Sequence, residues 1–255
     1  MQKSWQHWCM LLALVMGLTV SGCAQTPADT STSANSSPAG QVVASSATVS
    51  MRPDDFSQLK GKATVQMVVN GSPITIEVDG DAAPVTAGNF IDLVQRGVYD
   101  GLGFHRVVRE PQPFVVQGGD PQSKNPGVPP EQLGTGSFID PATSQPRYIP
   151  LEIRPQGEAA PVYHQTFDAA GITAKPKLRH IRGAVAMARS AVPDSASSQF
   201  YFTLADLAFL DGNYAVFGYV TEGMDVVDKI KQGDRIESAK VIKGGETLQP
   251  AGKKS

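Results

Sequence analysis

Asn70-Gly71 is the pair of residues that most restricts what this chain can become. Asn and Gly both tolerate positive φ, which a two-residue hairpin turn requires. The pair is flanked by a run of strand composition, Ala63 to Asn70, and by Ile74-Thr75-Ile76-Glu77-Val78, which alternates apolar and polar. The reading is an antiparallel hairpin with one buried face. Further strands are predicted at Gly103–Val108, Phe114–Gln117, Tyr148–Ile153, Val185–Ala188, Gln199–Leu204, Ala215–Val220 and Glu237–Ile242. Two helices interrupt them. The first follows Pro84-Val85-Thr86, with Thr86 as its N-cap and Gly97 as its stop. The second runs from about Met224 to Lys231, capped by Thr221 and stopped by Gly233. Many strands and two helices predict a mainly β fold, a closed antiparallel barrel whose ends the helices cover. Between Asp120 and Gly183 no period is legible. A stretch of that length inside a domain is expected to be functional or locally disordered.

The fold is expected to occupy residues 60–246. Residues 1–22 read as a signal peptide: Lys3, then an apolar run from Cys9 to Val20 that is too short to span a bilayer. The run ends in Val20-Ser21-Gly22-Cys23, similar to the lipobox of bacterial lipoproteins. That likeness implies that Cys23 is lipidated and that the protein is exported and anchored to a bacterial membrane, facing the periplasm or a comparable lumen. Residues 23–59 are rich in Ser, Thr, Ala and Pro and read as a flexible tether. Residues 247–255 read as a disordered tail.

Function classes fall away quickly. The chain contains 2 Cys, Cys9 and Cys23, both ahead of the domain, so a Cys nucleophile, a Cys-ligated metal and a disulfide are not expected in the domain. His105, His164 and His180 show no ligand spacing, and no metal or cofactor is expected. A Gly-x-Ser-x-Gly elbow and a phosphate-binding Gly-rich loop are both missing from the sequence. A net charge of −2 without a basic stripe argues against nucleic acid. An enzyme of this composition has to work without a nucleophile or metal. Rotation about an X–Pro bond is such a reaction, with a barrier of ~18–20 kcal/mol set by amide resonance.

Five blocks, in order, carry a specific resemblance: Phe104-His105-Arg106-Val107, Gln117-Gly118-Gly119-Asp120, Ser198-Gln199-Phe200-Tyr201-Phe202, Phe209-Leu210-Asp211-Gly212 and Val216-Phe217-Gly218. Together they resemble the signature of the cyclophilin-type peptidyl-prolyl cis/trans isomerases over about residues 63–243. The likeness implies an eight-stranded barrel with a long loop insertion, and a groove that binds proline-containing segments of exported proteins. It implies that Arg106 donates to the prolyl nitrogen and that Gln117 lies beside it as the second catalytic position. It places Phe114, Val115, Tyr201, Phe209 and Leu210 around the proline ring. Ala188 and Arg189 fall at the edge that pairs with the substrate backbone, with Gln199 behind it and Tyr214 where many relatives have His.

The departures from that pattern carry expectations of their own. Val115 replaces a larger Met, which widens the pocket floor. Arg189 replaces Asn and adds positive charge at the substrate edge. Phe209 replaces the Trp of cyclosporin-sensitive relatives, so weak binding of that drug is expected. Arg109-Glu110-Pro111-Gln112-Pro113 looks like a short insertion that could shift Phe114 relative to Arg106. A monomeric folding helper is the leading expectation. A binding module for one Pro-containing client, with little turnover, is the alternative.

Overall fold

A computed structural model describes residues 51–252. The expected signal peptide, Cys23 and the tether up to residue 50 lie outside the described residues. The hairpin forms as expected: β2 (Lys62–Val69) returns through Asn70 and Gly71, both at positive φ, into β3 (Ser72–Asp79). Ala63, Val65, Met67 and Val69 face inward with Ile74, Ile76 and Val78, all 0–1% exposed. Their partners on the other face meet solvent, which is why the alternation was legible.

The other strands are β4 (Arg106–Val107), β5 (Val115–Gly118), β10 (Ala184–Met187), β11 (Phe200–Thr203), β12 (Val216–Glu222) and β13 (Ile236–Lys243). Four short strands, β6 (Ile139–Asp140), β7 (Gln145–Pro146), β8 (Glu152–Ile153) and β9 (Val162–Tyr163), lie in the excursion between β5 and β10. One eight-stranded antiparallel sheet runs in the order β13-β2-β3-β12-β10-β11-β5-β4 and curls round on itself. Its outer strands do not share a full ladder. The seam is laced by a bridge between Gly103 and Arg235 and by backbone bonds such as Ile236 N–H to Leu102 O, 2.8 Å, and Phe104 N–H to Asp234 O, 2.8 Å.

α1 (Pro84–Gln95) covers one end of the barrel. Phe90 projects inward and meets Tyr99 at 5.2 Å and Phe217 at 4.9 Å between ring centroids. Each such pair is worth about 0.5–1.5 kcal/mol beyond its buried area. Thr86 is not the N-cap. The helix begins one turn earlier, after Ala83, with Pro84 at the first position, where its missing N–H costs nothing. The buried Glu152 carboxylate caps the helix instead, accepting from Val85 N–H at 3.1 Å and Thr86 N–H at 2.7 Å. Gly97 does end the helix, donating N–H to Val94 O.

The second helix is shorter than expected. α2 spans Met224–Val227, and Thr221 does not cap it, because β12 continues to Glu222 and the Thr221 hydroxyl donates to Thr75 O. The domain is also longer than 60–246. β1 (Gln58–Leu59) pairs with β14 (Leu248–Gln249), so the expected tether and tail both contribute ordered residues. Leu59 is fully buried, and Gly88 of α1 lies so close to this segment that a Cβ there would meet Ser57 O at 2.3 Å.

Candidate functional site

Strands β10 and β11 are buried on both faces. Val185, Met187, Phe200 and Phe202 point into the barrel, whereas Ala184, Ala186 and Tyr201 point outward into a second apolar cluster with Val115, Leu207 and Val216. Sheet register sets one row across five strands of this outer face: Arg106 opposite Gln117, Gln117 opposite Tyr201, Tyr201 opposite Ala186, Ala186 opposite Val216. A polar, charged edge therefore runs directly into an apolar floor.

At the edge, Arg106 is exposed and donates Nη1–H to Gln117 Oε1 at 3.3 Å. Gln117 donates Nε2–H to Gln199 Oε1 at 3.2 Å, and Gln199 donates to Gly136 O at 2.8 Å. Gln199 is held from below. The Tyr99 hydroxyl donates to Ser198 O and the Asn89 amide to Ser197 O. The core end of the barrel thus orients the polar relay. The guanidinium carbon of Arg106 sits 5.4 Å from the centroid of Phe114, and Phe114 stacks on the exposed Phe209 at 6.0 Å and 14°. Val115, Leu210, Ala188 and Tyr214 complete the apolar surface around Tyr201.

The Arg109–Pro113 loop does not separate these groups. Phe114 N–H bonds to Val108 O, and Arg109 reaches across to the carbonyls of Val227, Asp228 and Ile230 at the end of α2. Arg189 lines the recess beside Gln117 and Ala188. Its guanidinium lies 4.7 Å from the Tyr214 ring and donates to the carbonyls of Asn213 and Ser190, so its donors serve the loop rather than the open groove. Beside Gln117, Ala188 and Gln199 the groove continues into a recess of about 400 Å³ walled by Gly136, Tyr148 and Ser195.

The excursion after β5 is built, not loose. Asp120 caps a short turn by accepting from Gln122 N–H, and its other oxygen accepts from Gly134 and Gly136 N–H. Arg147 joins the β6–β7 hairpin to α1 through Asp140 and Asp92. Arg147's hydrogen bonds hold the Asp140 carboxyl below its ordinary range. Reading the sequence missed this recess and two groups behind the floor, His180 and Asp211. His180 reads alone as a lone histidine, and only its partner Asp211, inside the Phe209–Gly212 block, signals company. Burial lowers the pKa of His180 and also of His105, which lies beside Arg106 with no protein partner for either ring nitrogen. Burial raises that of the Tyr201 phenol. Among the described residues no cluster of metal-ligating side chains occurs.

Residues 64–247 match the sequence profile of the family described as cyclophilin type peptidyl-prolyl cis-trans isomerase/CLD. A Synechocystis protein named as a thylakoid lumen peptidyl-prolyl cis-trans isomerase is 44% identical over 77% of this chain and 52% of its own length. A chloroplastic peptidyl-prolyl cis-trans isomerase of Arabidopsis thaliana is 40% identical over 74% of this chain and 44% of its own. The chain thus spans about half the length of these relatives. Among solved structures, a Cryptosporidium parvum cyclophilin crystallised in the presence of the dipeptide Ala-Pro aligns with a TM-score of 0.51 at 22% identity, covering 71% of this chain and 99% of the other. With the eight-stranded sheet and the ordered signature blocks already in place, the profile match settles the lineage: the chain belongs to the cyclophilin family of peptidyl-prolyl cis/trans isomerases.

Proposed function

We propose that this domain accelerates X–Pro isomerisation in exported proteins by offering Arg106 to the prolyl nitrogen of a twisted imide. The carrying observation is that Arg106 is exposed and aimed by Gln117 at the margin of an apolar floor. Among the described residues no carboxylate is paired with it. In the planar ground state the prolyl nitrogen has no free lone pair. When the bond twists, the nitrogen becomes pyramidal and regains one, so a fixed donor there stabilises the transition state alone. Arg suits the task because it stays charged and holds its donors in a rigid fork. Each ~1.4 kcal/mol of such preference is about tenfold in rate.

The proline ring rests on Phe114, Tyr201 and Leu210, with Val115 beneath, and flanking residues extend past Ala188 towards the recess. No bond breaks, and no proton needs a home. Export is supported by the leader and by the thylakoid lumen and chloroplastic names of the two relatives. Lipidation of Cys23 would hold the domain at the membrane as a monomer with proline-containing segments as its clients.

The test is a proline-peptide isomerisation assay on the full chain and on Arg106→Ala. The expected loss in kcat/KM is about 100-fold, the scale for removing one preorganised donor. Rates equal to the uncatalysed control in both proteins would leave a binding module for Pro-containing segments. For the anchor, Cys23→Ser should leave the membrane fraction, and unchanged fractionation would refute lipidation there.

A further inference from the structure

The phenol of Tyr201, at the centre of the groove floor, ends on the imidazole of His180 at 3.0 Å from Nε2. His180 is 1% exposed, and its Nδ1 lies 2.9 Å from Asp211 Oδ1. An ionised carboxylate can only accept, so Nδ1 carries the proton and Nε2 is left as an acceptor, which makes the Tyr201 hydroxyl the donor. Asp211 is itself pinned, by the backbone N–H of His180 at 2.8 Å and by Arg179 Nε at 3.1 Å. Asp211 belongs to the same turn as Phe209 and Leu210, the wall of the groove. One carboxylate and one imidazole therefore join the wall to the floor.

We infer that His180 is a positioning residue for the isomerase groove: it is the rigid spacer that sets the height of the Tyr201 ring beneath a bound proline. The inference rests on the groove assignment made above. Without the bond at Nε2 the hydroxyl would be a buried donor lacking a partner, and the ring would shift to find one. A shift of about 1 Å in a positioning surface is enough to lower turnover. Plain packing does not explain the arrangement, because packing would be served as well by Phe at 201 and an apolar residue at 180.

Two substitutions at one site separate positioning from bulk. His180→Asn keeps a donor to Asp211 and removes the acceptor for Tyr201. His180→Gln places an acceptor at the Tyr201 end and gives up the Asp211 link. In the full chain, His180→Asn should lower kcat/KM about fivefold, mostly through kcat, whereas His180→Gln should stay within about twofold of wild type. In a Tyr201→Phe background, which lacks the hydroxyl, His180→Asn should cost nothing further. Equal losses in the Asn and Gln variants, or the same loss with and without the Tyr201 hydroxyl, would overturn the inference. Should His180→Asn fail to fold, Tyr201→Phe alone decides: a loss of about threefold in kcat/KM supports positioning through the hydroxyl, and wild-type kinetics refute it. Loss of activity in Arg106→Ala reports on the groove assignment separately, so the two can fail independently.

Discussion

Arg106 and Phe114 lie 5.4 Å apart, guanidinium carbon to ring centroid, on the two arms of one β-hairpin joined by the Arg109–Pro113 loop. Neighbouring elements hold that contact, since the loop alone offers few restraints. The candidate site is a set of side chains presented by the outer face of a rigid sheet, each oriented by something anchored elsewhere: Gln117 by Gln199, Phe114 by its hairpin, Tyr201 by His180.

Arg109 is the anchor of the hairpin. Its Nη2 lies 2.6 Å from Asp228 O and 3.0 Å from Ile230 O, both at the carbonyl end of α2. A cation there satisfies carbonyls that the helix leaves unpaired. Arg109→Ala should free the loop and lower kcat/KM by about three- to tenfold, with about 1 kcal/mol lost from stability. Peptide kinetics and a denaturant titration on the same preparation check both. Unchanged kinetics would show that the hairpin holds Phe114 unaided.

Glu152 should prove more important for folding than any surface ion pair. It satisfies two amides at the start of α1 and the Tyr163 hydroxyl at 2.8 Å, while wholly buried. Burial pushes its carboxyl above the ordinary range, partly offset by those donors. Glu152→Ala would strand two buried amides at about 1–3 kcal/mol each, besides freeing the half-buried Tyr163 hydroxyl, so a loss of about 2–6 kcal/mol is expected from the denaturant midpoint. Glu152→Gln keeps the shape and should cost less than half of that. Equal losses would mean that volume, not capping, is at stake.

Acid should weaken the domain through its buried histidines. His105 and His180 both titrate below the free-imidazole value of about 6.5 because burial disfavours the charged ring. The unfolded chain then binds more protons than the folded one as pH falls below about 6.5, so stability is complete above that value and declines below it. Glu152 acts in the opposite direction, since its raised pKa favours the protonated folded state. Thermal unfolding from pH 7.5 to 5 should show Tm falling, and His105→Gln should flatten the slope. A slope identical to wild type would assign the acid loss elsewhere.

What could be read from the sequence was whatever is local or periodic. The hairpin around Asn70-Gly71 announces itself because turn chemistry and alternation agree within a few residues. The signature blocks place Arg106, Gln117 and Tyr201 on one row because each sits in a strand whose register the sheet enforces. Thr86 has the chemistry of a cap but does not serve as one, because a better acceptor, Glu152, arrives from 66 residues away. The same limit hid the β1–β14 pair, which joins the two ends of the domain, and the His180–Asp211 link, in which neither residue is unusual alone. Proline- and glycine-rich segments such as 120–182 carry no period, so their order rests on single polar anchors.

Asp120 is the anchor that matters most to the site. Its Oδ2 accepts from Gly134 N–H and Gly136 N–H at 2.5 and 3.1 Å, and Gly136 O in turn accepts from Gln199. The relay from Asp120 through Gly136, Gln199 and Gln117 ends on Arg106, so a disturbance at its start should be felt at the guanidinium. Asp120→Asn removes the charge, and the amide cannot accept on both sides, so at least one backbone N–H loses its partner. Gly136→Ala attacks the same joint by bulk, because a Cβ there would meet Asp120 Oδ1 at 2.0 Å. Both should lower kcat/KM by about tenfold, a larger share than the ~1–2 kcal/mol lost from stability would impose on a folded enzyme. The two changes together should cost little more than either alone, as expected for one joint. Additive losses in the peptide assay would show that the loop and the relay act on turnover separately.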